Sequence, residues 1–152
     1  MIDALAIRPA TPDDGEKIWR WRNAPDVRLA SLEGKEITLP DHLGWFSKAL
    51  VDPDREILVA EYAGKPIGMV RFDKAGDAAT VSILLDAEYR GRGLAGPVLS
   101  IAIAFSRFSS ARLRAQVKQD NSASLALFLS LGFHVVSDRD TVVLERDGEK
   151  PS

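Results

Sequence analysis

The 152-residue sequence contains no cysteine, only two histidines and no apolar run of membrane-spanning length. Without cysteine there is no disulfide, no thiolate nucleophile and no cysteine metal site. His42 and His134 lie far apart and neither has a nearby ligand pattern, so the sequence predicts no metal site. The N-terminus lacks a basic region followed by an apolar core. We therefore expect a cytoplasmic protein that does not associate with membranes.

The charge is nearly balanced. Lysine and arginine total 20 against 22 aspartate and glutamate, and the signs are mixed along the chain, which argues against a nucleic-acid-binding surface. Hydrophobic residues at 45% and charged residues at 28% are ordinary for a globular protein. The length fits one domain, which we place at residues 1–146, followed by a polar tail at 147–152.

The segment from Val81 to Phe105 reads VSILLDAEYRGRGLAGPVLSIAIAF. It begins with an apolar run of strand length, continues through a glycine-rich loop and ends in an apolar helix. A loop at a helix start exposes unpaired backbone N–H groups at the positive end of the helix dipole, and glycine lets an anion approach them closely. The segment therefore predicts a phosphate-binding loop. The alternative is a tight strand-to-helix turn that binds nothing.

Two known phosphate-binding patterns can be compared with this loop. A P-loop is excluded, because Gly-Lys-Ser/Thr does not follow the glycines. Gly91, Gly93 and Gly96, with Asp120 further on, satisfy the dinucleotide pattern literally. However, the residues DAEYR separate the strand from Gly91, and the preceding strands look antiparallel. Roughly sixty residues follow Gly91, too few to complete a doubly wound sheet, so the dinucleotide interpretation is weak.

Hydrophobic periodicity predicts an alternation of strands and helices along the whole chain. The predicted elements are a strand at 4–9, a helix from Thr11 to about Arg22, a helix from Asp41 to about Val51, a hairpin formed by EILVAEY and IGMVRFD, a strand at 81–85, a helix at 94–108, a strand ARLRAQVK, a helix from the cap at 120–122 to Gly132, and the closing strands FHVVSD and TVVLER.

Three segments of this sequence resemble the GNAT superfamily of N-acetyltransferases, and the order of elements does so over nearly the whole chain. RGRGLA is similar to the acyl-CoA pyrophosphate loop of the family, and the other two are NSASLALFLSLGF and the strand run SILLD. The resemblance implies an α/β fold with a mixed, mostly antiparallel sheet of six to seven strands and about four helices on its two faces. It also implies transfer of an acetyl group from acetyl-CoA to a primary amine by direct attack of the amine.

The resemblance further implies where acetyl-CoA binds. The pyrophosphate is expected at the loop residues Arg90, Gly91, Arg92, Gly93, Leu94 and Ala95. Backbone groups of Ile83, Leu84 and Leu85 are expected to hold the pantetheine arm, with an N–H near Leu84 or Leu85 facing the thioester oxygen. Asn121 is placed beside the pantetheine, although a plain helix N-cap explains this residue equally well. Many family members have a tyrosine at the position of Phe128 as general acid, and a phenyl ring cannot donate a proton.

The acceptor amine must be neutral to attack, which requires a base or a chain of water molecules. His42, Glu33 and Asp41 are candidates by location alone. His42 and Trp45 are three residues apart in a predicted helix and therefore neighbours. Trp45 either packs in the core or stacks on a substrate. His42 caps the helix, faces water or lines a cleft.

The stretch WRWRNAPDVR contains two tryptophans and three arginines within ten residues. Solvated arginines at a helix end would explain it, but Arg22, Asn23 and Arg28 lie where the predicted helix ends at Pro25, and loops at such places often build sites. The pattern WRN…VR…S…H-x-x-WF resembles family members that acetylate nucleotide-linked amino sugars, and it is also similar to those acting on ribosomal-protein N-termini. The resemblance implies that Arg22, Asn23, Arg28 and Trp45 bind the acceptor.

Other functions remain open at this level. Because Phe128 takes the place of the tyrosine, a module that binds acyl-CoA as a sensor without turnover is an alternative. The acceptor we expect is the amino group of a nucleotide-linked amino sugar, and the alternative is a protein N-terminus or another small amine. The sequence leaves the oligomeric state open, including a homo-oligomer.

Overall fold

The computed structural model describes residues 4–30 and 34–148. The strands are β1 (Leu5–Pro9), β2 (Arg55–Tyr62), β3 (Lys65–Ala75), β4 (Ala78–Leu85), β5 (Arg112–Lys118), β6 (His134–Asp138) and β7 (Thr141–Arg146). The helices are α1 (Gly15–Asn23), α2 (Pro25–Ala30), α3 (Leu39–Val51), α4 (Ala95–Phe105) and α5 (Ser122–Ser130).

All seven strands belong to one sheet in the order β1-β2-β3-β4-β5-β7-β6. Neighbouring strands are antiparallel except β4 and β5, which are parallel. This mixed, mostly antiparallel sheet with helices on both faces confirms the predicted fold class. The order also places the single parallel pair in the middle of the sheet.

Two apolar layers cover the two faces of the sheet. The strand β2 is buried on both sides: Leu58 and Ala60 contact the layer that contains α4 and α5, whereas Ile57 and Val59 contact the layer of α1 and α3. This follows from the period of two in a strand, which sends alternate side chains to opposite faces. The β4–β5 junction therefore has α4 and α5 on one side of the sheet and α1 and α3 on the other.

The helix α2 was not predicted from the sequence. We expected the chain to leave helical structure at Pro25, but a second helix begins there. Proline at the first position of a helix loses no hydrogen bond, because that N–H has no partner inside the helix. Pro40 has the same role in the first turn of α3, where the Thr38 side chain caps the helix by accepting the Asp41 N–H at 3.3 Å.

Candidate active site

The edge of β4 becomes available where β5 diverges from it. The two strands pair only between Ala78–Thr80 and Arg112–Arg114. Beyond Thr80, β4 continues its ladder with β3 up to Leu85. In the described part of the chain, no strand pairs with the other edge of β4 over residues 81–85. A V-shaped gap therefore opens inside the sheet.

The ladder with β3 decides which backbone groups of β4 face this gap. The Asp86 N–H donates to the Ile67 carbonyl oxygen at 2.7 Å, so these residues form a hydrogen-bonded pair. Bonded and non-bonded pairs alternate along an antiparallel ladder, and the next bonded pair is Leu84 with Met69. Of the two predicted donors to the thioester, Leu84 or Leu85, the Leu84 N–H is excluded, because that group belongs to the ladder.

Ile83 and Leu85 direct their backbone groups away from β3 and into the gap. The contact of Arg90 agrees with this assignment, because its Nε donates to the Leu85 carbonyl oxygen at 3.0 Å. Leu85 therefore remains as the predicted N–H donor to the thioester. The backbone groups of Ile83 lie two residues earlier on the same edge of β4. Leu84 contributes a half-buried side chain on the opposite face.

A cavity of about 610 Å³ occupies the gap and reaches both faces of the sheet. On the side of α5 its wall, here called the α5 half, includes Ile83, Val117, Asn121, Ser124 and Phe128. On the side of α1 its wall, here called the α1 half, includes Arg22, Val27, Arg28, Lys35, Trp45, Arg55, Arg71 and Asp73. One elongated ligand can therefore reach across the sheet from one half to the other.

The glycine loop lies directly before α4. Gly91 and Gly93 both have φ of +72°, a conformation that side chains with a Cβ rarely adopt, and a Cβ at either position would meet open space. The loop therefore holds a left-handed shape with an unobstructed surface beside the first N–H groups of α4. This geometry fits the predicted phosphate cradle formed by Arg92, Gly93, Leu94 and Ala95.

The Arg90 side chain does not point to an open phosphate site. Its guanidinium forms an ion pair with Asp26 of α2 in addition to its bond to the Leu85 carbonyl. Arg92 instead lies over the Tyr89 ring, with its guanidinium carbon 5.1 Å from the ring centroid. Of the two loop arginines, Arg90 is the one that connects the end of β4 to another element.

Two predicted residues of the α5 half border the cavity and also serve the fold. The Asn121 side chain caps α5 by accepting the Ser124 N–H at 3.2 Å, so both interpretations of Asn121 are compatible with its position. Phe128 is only 4% exposed and meets Phe133 edge to face, with ring centroids 5.1 Å apart. One side of the Phe128 ring is core and another side is cavity wall.

Trp45 forms the floor of the α1 half. The guanidinium carbon of Arg22 lies 4.4 Å from the centroid of this indole, and that of Arg71 lies 5.3 Å from it. Cations at these distances are attracted to the face of an aromatic ring. Arg22 and Trp45, both predicted from the sequence, are thus brought together with Arg71.

His42 is fully buried and does not line the cavity. Its Nε2 lies 2.8 Å from the Gly15 carbonyl oxygen, and its Nδ1 lies 3.0 Å from a guanidinium nitrogen of Arg22. The carbonyl can only accept and the guanidinium can only donate, so both ring nitrogens are engaged. Burial lowers the pKa of His42 below its usual value, the Gly15 contact opposes this, and the Arg22 charge adds to it. The prediction that His42 acts as general base is therefore not supported.

The other two candidate bases do not replace it. Asp41 is exposed in the first turn of α3 and lies outside the cavity wall. Glu33 lies outside the described residues.

Asn23 anchors a loop instead of lining the cavity. Its amide donates to the Ile37 carbonyl oxygen at 2.5 Å, and its side-chain oxygen accepts the Ile37 N–H at 2.8 Å. The Trp19 indole N–H donates to the same carbonyl at 2.7 Å. The prediction that Asn23 contacts the acceptor needs correction: Asn23 holds Ile37, which is itself part of the cavity wall.

The comparisons with known proteins agree with this architecture. The family model described as acetyltransferase (GNAT) domain matches residues 4–134. The chain belongs to the GNAT family. It is an acetyl-CoA-dependent N-acetyltransferase.

Three proteins that this GNAT enzyme resembles differ from it at most positions. The N-alpha-acetyltransferase RimI of Mycobacterium tuberculosis is 28% identical over 121 residues, covering 70% of this chain and 75% of that protein. A spermidine N-acetyltransferase from Vibrio cholerae, solved with CoA and spermine, has a TM-score of 0.80 at 18% identity and covers 94% of each chain. A Salmonella typhimurium structure that contains acetyl-CoA as cofactor has a TM-score of 0.77 at 22% identity, covering 97% of this chain and 96% of that one. These two structural likenesses establish the fold alone.

Sequence reasoning missed several charged residues of the GNAT cavity. Arg71 and Asp73 lie on β3, and the Arg71 Nε donates to the Asp73 carboxylate at 2.8 Å. Arg55 reaches the same carboxylate at 3.7 Å. The alternating pattern of IGMVRFD places Met69, Arg71 and Asp73 on one face, but only the tertiary structure directs that face towards Trp45.

The charge of the α1 half is strongly positive. Among the described residues on the cavity wall, Arg22, Arg28, Lys35, Arg55 and Arg71 are cationic and only Asp73 is anionic. The Nε of Arg28 is buried, and no described residue bonds to it. A site of this charge favours an anionic partner.

The described part of the chain contains no group of three or more His, Cys, Asp or Glu side chains arranged to hold a metal ion. None of its helices is long and apolar enough to cross a membrane.

Proposed function

We propose that this enzyme acetylates a primary amine carried by a small anionic molecule, and that residues 1–146 form its single catalytic domain. The observation that carries the proposal is the excess of five cations over one carboxylate in the α1 half of the cavity. A polycationic acceptor would be repelled there, whereas phosphate or carboxylate groups would be attracted. Arginine suits this task because its planar fork matches such anions.

The assignment of acetyl-CoA to the α5 half rests on the open edge of β4 and the glycine loop. The backbone N–H groups of Arg92 to Ala95 would hold the pyrophosphate, and Ile83 and Leu85 would hold the pantetheine arm. The Leu85 N–H would then donate to the thioester oxygen as that atom gains negative charge. Asn121 and Phe128 would border the arm.

The chemistry requires a neutral amine and a departing thiolate. The amine attacks the thioester carbonyl, the carbon–sulfur bond breaks, and the amine proton leaves. Because His42 is enclosed, we assign the proton acceptor to water in the cleft. Phe128 cannot protonate the sulfur, but a thiol with a pKa of about 8.5 is a tolerable leaving group as the thiolate.

A nucleotide-linked amino sugar is the specific acceptor we propose. Its phosphates would bind Arg22 and Arg28, and Trp45 would offer a surface for the sugar or base. The alternative is a protein N-terminus, which the similarity to the Mycobacterium tuberculosis RimI protein favours.

Release of free thiol from acetyl-CoA with a panel of amines tests the proposal. The panel contains nucleotide-linked amino sugars, the same sugars without the nucleotide, an alanine-terminated peptide and spermidine. We expect the highest kcat/KM for the nucleotide-linked sugars and little turnover with spermidine. A preference for the peptide would favour the alternative, and the absence of turnover with every amine would favour an acyl-CoA sensor.

A further inference from the structure

The short helix α2 crosses the mouth of the gap between β4 and β5. It has six residues, and Leu29 on its surface is 77% exposed. A helix of this length has little stability by itself, because nucleation is costly and few backbone bonds follow it. Contacts to other elements must therefore hold α2 in place.

Two polar contacts fix α2, one near each end. Near its N-terminus, the Asp26 carboxylate forms an ion pair with Arg90, which also donates to the Leu85 carbonyl oxygen at the end of β4. Near its C-terminus, the Lys118 Nζ donates to the Leu29 carbonyl oxygen at 2.7 Å. Lys118 is the last residue of β5. The helix is thus connected to both arms of the V.

The segment between these contacts faces the cavity. Val27 and Arg28 both belong to its wall, and the Arg28 Nε is buried without a bond to any described residue. A buried guanidinium N–H is costly unless it finds an acceptor. The position of α2 therefore determines where this donor meets a ligand.

We propose that Arg90 and Lys118 are positioning residues, which hold α2 across the gap and so place Arg28 against the anionic group of the acceptor. The part concerning the acceptor rests on the proposed function. On this view the Arg90 side chain serves acceptor binding, although it belongs to the loop expected to bind the pyrophosphate of acetyl-CoA. The loop backbone from Arg92 to Ala95 keeps the pyrophosphate role.

The variants Asp26→Asn and Lys118→Met, singly and together, test this proposal. Exposed ion pairs and hydrogen bonds contribute little individually, so we expect the acceptor KM to rise about two- to fivefold in each single variant. Contacts at separate ends act independently, and the double variant should show about the product of the two factors. The kcat and the acetyl-CoA dissociation constant from calorimetry should stay unchanged. Asp26→Glu, which keeps the carboxylate, should restore the KM.

Amide hydrogen exchange supplies a readout that does not depend on the acceptor. Amides of residues 26–30 should exchange faster in both single variants, whereas those of α3 should not change. Glu16→Gln is the matched control, since it removes another exposed ion pair, formed with Arg20 at 3.0 Å on α1. It should alter neither the KM nor the exchange of α2.

Each opposing result has a distinct meaning. Unchanged exchange in α2 would show that these contacts do not hold the helix, and faster exchange with an unchanged KM would show that the helix does not position the acceptor. A changed acetyl-CoA affinity in Asp26→Asn would make Arg90 a pyrophosphate ligand. Each of these overturns the proposal while acetyl transfer persists. If the wild type transfers acetyl to none of the amines, the proposed function is overturned, and the acceptor role of Arg28 with it.

Discussion

The Nδ1 atom of His42 lies 3.0 Å from a guanidinium nitrogen of Arg22, so a fully buried imidazole orients a cation on the cavity wall. A guanidinium group can only donate hydrogen bonds, and Nδ1 must therefore accept one from Arg22. The Nε2 proton is then directed at the Gly15 carbonyl oxygen, 2.8 Å away. A residue that the sequence suggests as a base is instead a fixed neutral acceptor that connects α3, α1 and the cavity.

This arrangement predicts a pH-dependent stability. Burial lowers the pKa of His42, so below about pH 6.5 the unfolded chain binds a proton that the folded protein excludes. With more protons on the unfolded state, the free energy of unfolding falls as the pH decreases through this window. Urea unfolding between about pH 7.5 and about pH 5.5 measures how steeply the free energy of unfolding depends on pH. Carboxylates stay ionised over this range. His42→Gln should flatten the slope, and an identical slope in that variant would contradict the prediction.

Gly93→Val should weaken acetyl-CoA binding about tenfold or more, because a β-branched residue at φ of +72° strains the cradle and forces its N–H groups to move. Calorimetric titration with acetyl-CoA measures the loss. Gly76→Val is the matched control: Gly76 has φ of +65° and open space around it, but lies in the β3–β4 turn. If both variants bind acetyl-CoA like the wild type, the loop is only a turn.

Arg28→Lys should raise the acceptor KM by about tenfold and leave acetyl-CoA affinity unchanged, because lysine keeps the charge but loses the planar fork. Initial rates of thiol release at varied acceptor concentration give the KM. Arg20→Lys on the exposed face of α1, outside the cavity wall, should change neither constant. An unaltered KM in Arg28→Lys, with a peptide as the preferred acceptor, would remove the phosphate-binding role of Arg28.

Phe128→Tyr should still fold, because the new hydroxyl would enter a cavity wall that already contains the polar side chains of Asn121 and Ser124. The variant should also release thiol faster, because the hydroxyl could donate a proton to the departing sulfur. General-acid catalysis contributes up to about 10²–10⁴-fold where proton transfer to the leaving group limits the rate. Single-turnover kinetics measures this step. Phe133→Tyr, which adds a hydroxyl to the ring behind, should instead cost about 1–3 kcal/mol of stability. If Phe128→Tyr is destabilised without a gain in rate, the position is purely core.

Much of the fold follows from local pattern. The period of two in EILVAEY and IGMVRFD predicts β2 and β3, and the structure places a hairpin there. The apolar run before Phe105 predicts α4 against the sheet, which is confirmed. The prediction was wrong at α2, because Pro25 ends one helix and starts another, and local sequence does not distinguish these cases.

The candidate site could be predicted only in part, because one side of it is formed by residues that are distant in the sequence. The glycine loop and the open strand edge lie within one continuous segment, so the sequence alone predicts the side of the cavity where we expect acetyl-CoA. The fold class and the family, which were also predicted from the sequence, are confirmed. The other side is built from α1, α2, α3, β2 and β3, which are distant in the chain. Only the tertiary structure decided that Arg71 lies on Trp45 and that His42 is buried beneath Arg22. It also decided that Arg90 reaches Asp26, because side-chain contacts between separate elements depend on how the helices pack on the sheet.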